Sequence, residues 1–399
     1  MRRLLSYALL TTLLACATAA RAQTAPGPAA APPLSPEWRK AVEEIDAMVA
    51  AEYAKNNVGS ITVGIVNGSQ LVWTKSYGYA DMEKKIPATR ETVYRIGGTT
   101  KQFTGLMLLQ LAEQGKLRLS DPVSKYFPDV NKIPARFPDA PPITLVQLAT
   151  HTSGLAKDPA GASGVDEGPV ADWEKSLLAA LPFVKYEFEP GTFVNYSNVG
   201  YAVLGASLSR VAGRPYVDYV REQIFAPLGM AHTDFEPTAA LLPLLAKGYS
   251  LDTDKLDTET PLREHKGRGY KVPVGSVYST IEDMARFMSF QLGEGPVSVL
   301  KKRSLLINRE RLIALQPDVY EGWGVGSQVI RRKEGALYVF GYAGGISGYE
   351  SISHYDPQSR TGVIMLSNVS SFKIHRGTQE MALLINEKLA ALVPRQAAR

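Results

Sequence analysis

Lys101 opens the run "KQFTGLMLLQLA", which is apolar on nearly every side beyond its first two residues. An amine in such surroundings either finds a partner or gives up its proton. Once neutral, it can accept a proton from a hydroxyl one helical turn away, because residues three apart share a helix face. The residue at that position is Gly98, which has no side chain. The pattern therefore holds a base without the attacking oxygen it would serve. Thr99 and Thr100 supply hydroxyls next door, but each step along a helix turns a side chain by about 100°, so Thr99 should point away from the Lys101 face. The competing chemistry is a water deprotonated by Lys101 or a nearby tyrosine, or a hydroxyl not evident in the sequence, giving slow hydrolysis without a covalent intermediate.

The elements that must hold this lysine follow from hydrophobic periodicity. "PEWRKAVEEIDAMVAAEYAKN" places Trp38, Val42, Ile45, Met48 and Val49 on one helical face. "SITVGIVNGSQ" and "LVWTKSYGYAD", joined near Asn67-Gly68, predict a hairpin. "FTGLMLLQLA" predicts a central buried helix that Gly115 stops. "LVQLATHTSGL", "GYAVLGASLSRVAG" and "STIEDMARFMSFQLG" carry helical spacing. Strand patterns return in "WGVGSQVIRR", "ALYVFGYAGG", "YESISHYDP" and "TGVIMLSNV", before a closing helix from Gly377. This order predicts an α/β fold with an inserted, mostly helical domain. The expected unit covers residues 36–395, its α/β part at about 36–97 and 290–395 and its helical part at about 98–289.

The chain has 399 residues and begins with two arginines, an apolar run and the small residues Ala20-Arg21-Ala22, the pattern of a signal peptide over residues 1–22. Export to the periplasm or medium is expected; the alternative is a lipid anchor on Cys16. Residues 23–35 are rich in Pro and Ala and read as a disordered linker. Cys16 is the single cysteine, so no internal disulfide and no thiolate metal cluster can form. His232, His265, His354 and His375 lack ligand spacing, and neither a metal nor a cofactor is expected. The net charge of +5 includes Arg2, Arg3 and Arg21, leaving only about +2 after cleavage, so nucleic acid is not an expected partner. The basic runs "HKGRGYK", Lys301–Arg303 and Arg331–Lys333 read most simply as solvated surface, with a weak attraction to anionic envelope polymers as the alternative. The oligomeric state stays open.

The blocks "YRIGGTTKQFT", "LRLSDPVSKYFPDV", "ITLVQLATHTSGL", "PGTFVNYSNVGYAVLGASLSRVAGRPY", "IFAPLGMAHTDF", "GSVYSTIEDMARF" and "YAGGISGYESISHYDPQSRTGVIMLSN" run in order from about Pro36 to the last helix. Together they resemble the penicillin-recognising serine hydrolases, in particular the class C β-lactamases, D-alanyl-D-alanine peptidases and family VIII esterases. The resemblance implies a β-lactamase/transpeptidase-like fold, an antiparallel sheet flanked by helices. It also implies three site motifs. Ser-x-x-Lys is matched by Gly98 to Lys101, with the serine replaced; Tyr-x-Asn is intact at Tyr196-Ser197-Asn198. The third, a Lys- or His-led triplet ending in glycine, is matched by Tyr342-Ala343-Gly344, without its leading cation. By the same resemblance Lys101 and Tyr196 share proton transfer, Gly98 and Gly345 give the oxyanion donors, and His151 is structural. The expected function is a non-acylating, ligand-binding pseudo-hydrolase of the cell envelope, taking a small-molecule or cell-wall-derived ligand. The alternative is an active esterase, amidase or β-lactamase-like enzyme using activated water.

Overall fold

A computed structural model describes residues 34–251, 255–305, 314–315, 321–331 and 338–393. The expected signal peptide, Cys16 and most of the linker lie outside these residues, as do Arg332 and Lys333.

The sheet has nine strands: β1 (Ser60–Asn67), β2 (Gln70–Asp81), β3 (Ile86–Pro87), β4 (Ala314–Leu315), β5 (Glu321–Gly324), β6 (Ser327–Arg331), β7 (Tyr338–Ile346), β8 (Tyr349–Asp356) and β9 (Thr361–Ser367). Their order is β3-β2-β1-β9-β8-β7-β6-β5-β4 and every pairing is antiparallel. The expected hairpin is β1 and β2, with Gly68 at φ 57° in its turn. This left-handed conformation suits glycine. The N-terminal hairpin joins the late strands where β1 pairs with β9, so that Ile61 faces Ser367 and Asn67 faces Thr361. β8 and β9 are buried along their whole length, as a sheet covered on both faces requires.

One face carries α1 (Pro36–Ala54) and the closing helix α5 (Phe372–Leu392). Val42, Ile45 and Val49 meet Val63, Ile65, Val363 and Met365 of the sheet and Ile385 and Leu389 of α5, while Trp38 and Met48 sit at the rim of the cluster. Each such side chain contributes about 1.5–3 kcal/mol on burial. The helix α5 starts at Phe372, ahead of the expected Gly377, because the extended backbone of Ser371 marks its boundary.

The other face carries the central helix α2 (Lys101–Glu113), with α3 (Asn198–Ala212) beside it and α4 (Ile281–Ser289) against β1. Every residue of α2 from Lys101 to Leu111 is buried. Gly115, at φ 70°, ends that helix as expected. Gly105 lets α2 approach the turn between β5 and β6: a Cβ there would stand 2.6 Å from the Cα of Gly326. Gly64 does the same for α4, since its Cβ would lie 2.9 Å from Ile281 Cγ1. Among the described residues, no helix is long and apolar enough to cross a membrane.

Candidate active site

Three segments converge at the start of α2. The first is a tight turn, Gly97–Thr100, that feeds the helix. Gly97 takes φ 47°, and a Cβ on it would press within 3.2 Å of the Gly345 carbonyl, so a side chain there would be strained. Gly98 is not among the positive-φ glycines. Its side-chain position faces the site directly: a Cβ there would lie 3.2 Å from Tyr196 Oη and 3.3 Å from Tyr342 Cε1. An L-residue is therefore tolerated after small shifts of those two rings.

Neither neighbouring threonine substitutes for it. Ser351 Oγ donates its one proton to Ile96 O at 2.7 Å, so Thr99, 2.7 Å from the same oxygen, donates to Ser351. Thr99 thus points into β8, away from Lys101. Thr100 Oγ1 accepts the Val277 N–H at 3.2 Å.

The second segment carries Tyr196 and Asn198. Ser197 between them caps α3: its Oγ accepts the Gly200 N–H at 3.0 Å and donates to Ala156 O at 2.8 Å. That cap fixes the flanking residues, and both reach Lys101. Lys101 Nζ is 2.6 Å from Tyr196 Oη, 3.0 Å from Asn198 Oδ1 and 3.2 Å from Val274 O. Among the described residues, no carboxylate touches it. Asp158 is met only through Asn198, whose Nδ2 donates to it at 3.1 Å, and Asp158 also accepts from Tyr270 Oη at 2.5 Å.

Lys101 is fully buried. Burial pushes its pKa well below the usual lysine range; Arg268, Lys157 and Lys271 push the same way, and Asp158 opposes them. Burial also raises the Tyr196 phenol to about 12. Both shifts favour a protonated phenol beside an amine with a lone pair, an arrangement in which Tyr196 donates to Nζ while Nζ donates to Asn198 and Val274. A neutral amine is what a proton acceptor needs.

The third segment is β7. Tyr342 is buried, with its ring centroid 5.8 Å from Lys101 Nζ and 5.6 Å from the Trp323 ring. Gly344 lies against the turn before α2, where a Cβ would come within 2.8 Å of Thr99 N and closer still to Ile96 O. Beside Gly345 a Cβ would meet nothing within 4 Å, so this residue faces open space.

All seven residues singled out in the sequence, Gly98, Lys101, Tyr196, Asn198, Tyr342, Gly344 and Gly345, come together. Trp323, Asp158 and Tyr270 carry no local signal of their place here. His151 binds two of the segments. Its Nδ1 accepts the Ser197 N–H at 3.0 Å, leaving Nε2 to donate to Tyr342 Oη at 3.4 Å, and its ring lies 4.6 Å from that of Tyr196. Burial holds the imidazole neutral, with Lys101 a lesser cause. Around Lys101, Tyr196, Tyr342, His151 and Trp323 make an aromatic wall.

Comparison with known proteins gives the family and the fold. The Beta-lactamase family model matches residues 45–384. The chain is 31% identical over 325 residues to "Beta-lactamase-like protein 2" of Dictyostelium discoideum, covering 79% of this chain and only 57% of that relative. It is 29% identical over 365 residues to the "D-alanyl-D-alanine-carboxypeptidase/endopeptidase AmpH" of Escherichia coli K12, covering 86% of this chain and 89% of the relative. Among solved structures, the octameric penicillin-binding protein homologue from Pyrococcus abyssi is similar, with a TM-score of 0.70 at 26% identity, covering 86% of this chain and 77% of that one. With the family model spanning most of its length and the antiparallel sheet flanked by helices in place, the chain belongs to the beta-lactamase family.

Proposed function

We propose that this protein is an exported member of the family that holds a carbonyl-bearing ligand between Gly98, Tyr196 and Gly345 without forming a covalent bond to it. One observation carries the reading: the side-chain position aimed at Tyr196 and Lys101 belongs to Gly98, and the adjacent threonine hydroxyls are bound elsewhere. Loss of the nucleophile from a serine hydrolase costs on the order of a million-fold in turnover, about 8 kcal/mol. Binding and carbonyl polarisation by backbone donors do not depend on that oxygen. The aromatic wall and the phenol of Tyr342 favour a ligand that stacks. The relative named for D-alanyl-D-alanine carboxypeptidase and endopeptidase activity makes cell-wall peptides the first class to try.

The test is covalent labelling with a fluorescent penicillin or a fluorophosphonate. The wild type should stay unlabelled and Gly98→Ser should label. An adduct on the wild-type protein, mapped inside the cleft, rejects the reading.

The depressed pKa of Lys101 supports a second reading, in which the neutral amine takes a proton from water and the protein slowly hydrolyses esters. Turnover should then vanish in both Lys101→Ala and Tyr196→Phe. Turnover that survives both changes eliminates this mechanism.

A further inference from the structure

Asp158 reaches Lys101 through a single residue, and the contacts on both sides of that residue fix what it transmits. The segment carrying Asp158 is docked on the start of α3. Lys157 O accepts the N–H groups of Asn198 at 2.8 Å and Val199 at 3.2 Å, next to the bond from Ser197 to Ala156 O. This sets the Asp158 carboxylate against the Asn198 carboxamide, whose Nδ2 lies 3.1 Å from Oδ1 and 3.3 Å from Oδ2. A carboxylate only accepts, so the amide turns its NH2 to Asp158 and its oxygen to Lys101. The carboxyl stays ionised. Burial raises its pKa, but the bond from Tyr270, the charge of Lys271 and the bond from Asn198 outweigh that and hold it below the ordinary value.

The charges around this relay are otherwise engaged. Lys271 and Arg268 belong to the run "HKGRGYK", expected as solvated surface, yet both fold inward, with side chains 15% and 16% exposed. Lys271 Nζ stands 3.8 Å from Asp158 and 3.6 Å from Asp166, shared between the two. Arg268 is held by Glu264, which also takes the buried Arg95. The other side of the lysine meets only phenols and the neutral His151: Nζ lies 4.7, 5.7 and 5.8 Å from the ring centroids of Tyr196, Tyr201 and Tyr342.

With the amide oxygen facing it, Nζ gives one hydrogen to Asn198 Oδ1 at 3.0 Å and one to Val274 O at 3.2 Å. Its remaining direction meets Tyr196 Oη at 2.6 Å, beside the side-chain position of Gly98. An amide turned the other way would present its NH2 to Nζ and compete for the lone pair that Tyr196 uses. From this chain of contacts we propose that Asp158 is a positioning residue: it locks the Asn198 carboxamide with Oδ1 toward Lys101, so that the proton-exchanging direction of Nζ points at Tyr196 and the cleft. The proposal deepens the second reading above, in which Lys101 accepts a proton, and rests on it for its consequence in catalysis. Its test reads the lysine itself.

The experiment follows the ¹³Cε resonance of Lys101 through a pH titration of the whole protein, assigned by its loss in Lys101→Met. Asp158→Asn nearly keeps the shape but offers Asn198 either end of an amide, which frees both orientations. The midpoint should fall by about one pH unit or more, because the ammonium loses an aimed acceptor. In an Asn198→Ala background the same substitution should move it by less than about a third of that. An equal fall in both backgrounds makes Asp158 a charge acting through space, and no fall gives it no action on Lys101; either result overturns the proposal. If the variant does not fold, or the lysine does not titrate while the protein is folded, the wild-type Asn198 NH2 resonances decide. Protons protected from exchange and shifted by a carboxylate acceptor are expected, and freely exchanging ones overturn the proposal. No turnover is measured, so failure here leaves the hydrolytic reading standing, and absence of hydrolysis leaves the positioning of Lys101 to be decided by the titration.

Discussion

Lys101 and Arg268 are both withdrawn from water, and the protein answers the same electrostatic problem in opposite ways. Lys101 touches a phenol, an amide and a carbonyl but no acid, so its charge is the part that gives way and its pKa falls. A guanidinium has no such exit, because it stays protonated at any pH a protein meets. Arg268 and Arg95 therefore bring Glu264 in with them. The difference separates two purposes: a proton that can move needs an amine kept from carboxylates, while a fixed charge needs an arginine with an acid beside it.

Several substitutions can break or sharpen that contrast. The largest effect belongs to Glu264→Gln, which leaves two buried guanidiniums facing an amide and should cost about 3–5 kcal/mol in urea unfolding. A loss under about 1 kcal/mol would mean that the arginines are better solvated than their exposure implies. Next comes acid. Burial, with Arg95 adding to it, lowers His265 to about 4, below an unfolded value of about 6.5. The unfolded chain therefore binds the proton first, and His265 stabilises the fold above about pH 6.5 but loses that contribution as pH falls toward 4. The loss is on the order of 3 kcal/mol. His265→Gln should flatten the curve in that window by this amount, with the similarly depressed His151 still acting in the variant. Lys101 works in the same direction at higher pH. Between its depressed native pKa and about 10.4 the unfolded state binds more protons, so stability should rise with pH by up to about 1.4 kcal/mol per unit. That slope should be missing from Lys101→Met; if it persists, Lys101 is charged in the native protein. The smallest change is Thr99→Val, which removes the bond to Ser351 and should cost about 1 kcal/mol while leaving cleft binding untouched.

How much of this could be read from sequence depended on how local each arrangement is. Gly98 and Lys101 were legible because helix geometry alone puts them on one face. Tyr196 and Asn198 flank the capping serine of α3, so their joint presentation is also local. Trp323 was not legible, since β5 and β6 must pair before its ring meets Tyr342. Asp158 joins the site through Asn198 and Tyr270, both on other segments. The run around Arg268 looked like solvated surface because its partners, Glu264 apart, are distant in sequence: Arg95 and Tyr278 come from a strand pair too short to leave a pattern. For the fold, strand alternation and helical spacing gave the order of elements, whereas the start of α5 depended on the backbone of Ser371.

The pairing of β1 with β9 sets a timetable for the nascent protein. Val63 at one end of the chain must wait for Met365 at the other. At roughly 5–20 residues per second, the intervening stretch of about 300 residues takes on the order of 15–60 s to synthesise. Through that interval the β1 hairpin presents an unpaired edge rich in isoleucine and valine, a template for sticking to other chains. Yield in a heterologous host should accordingly respond to slower translation and to chaperone supply.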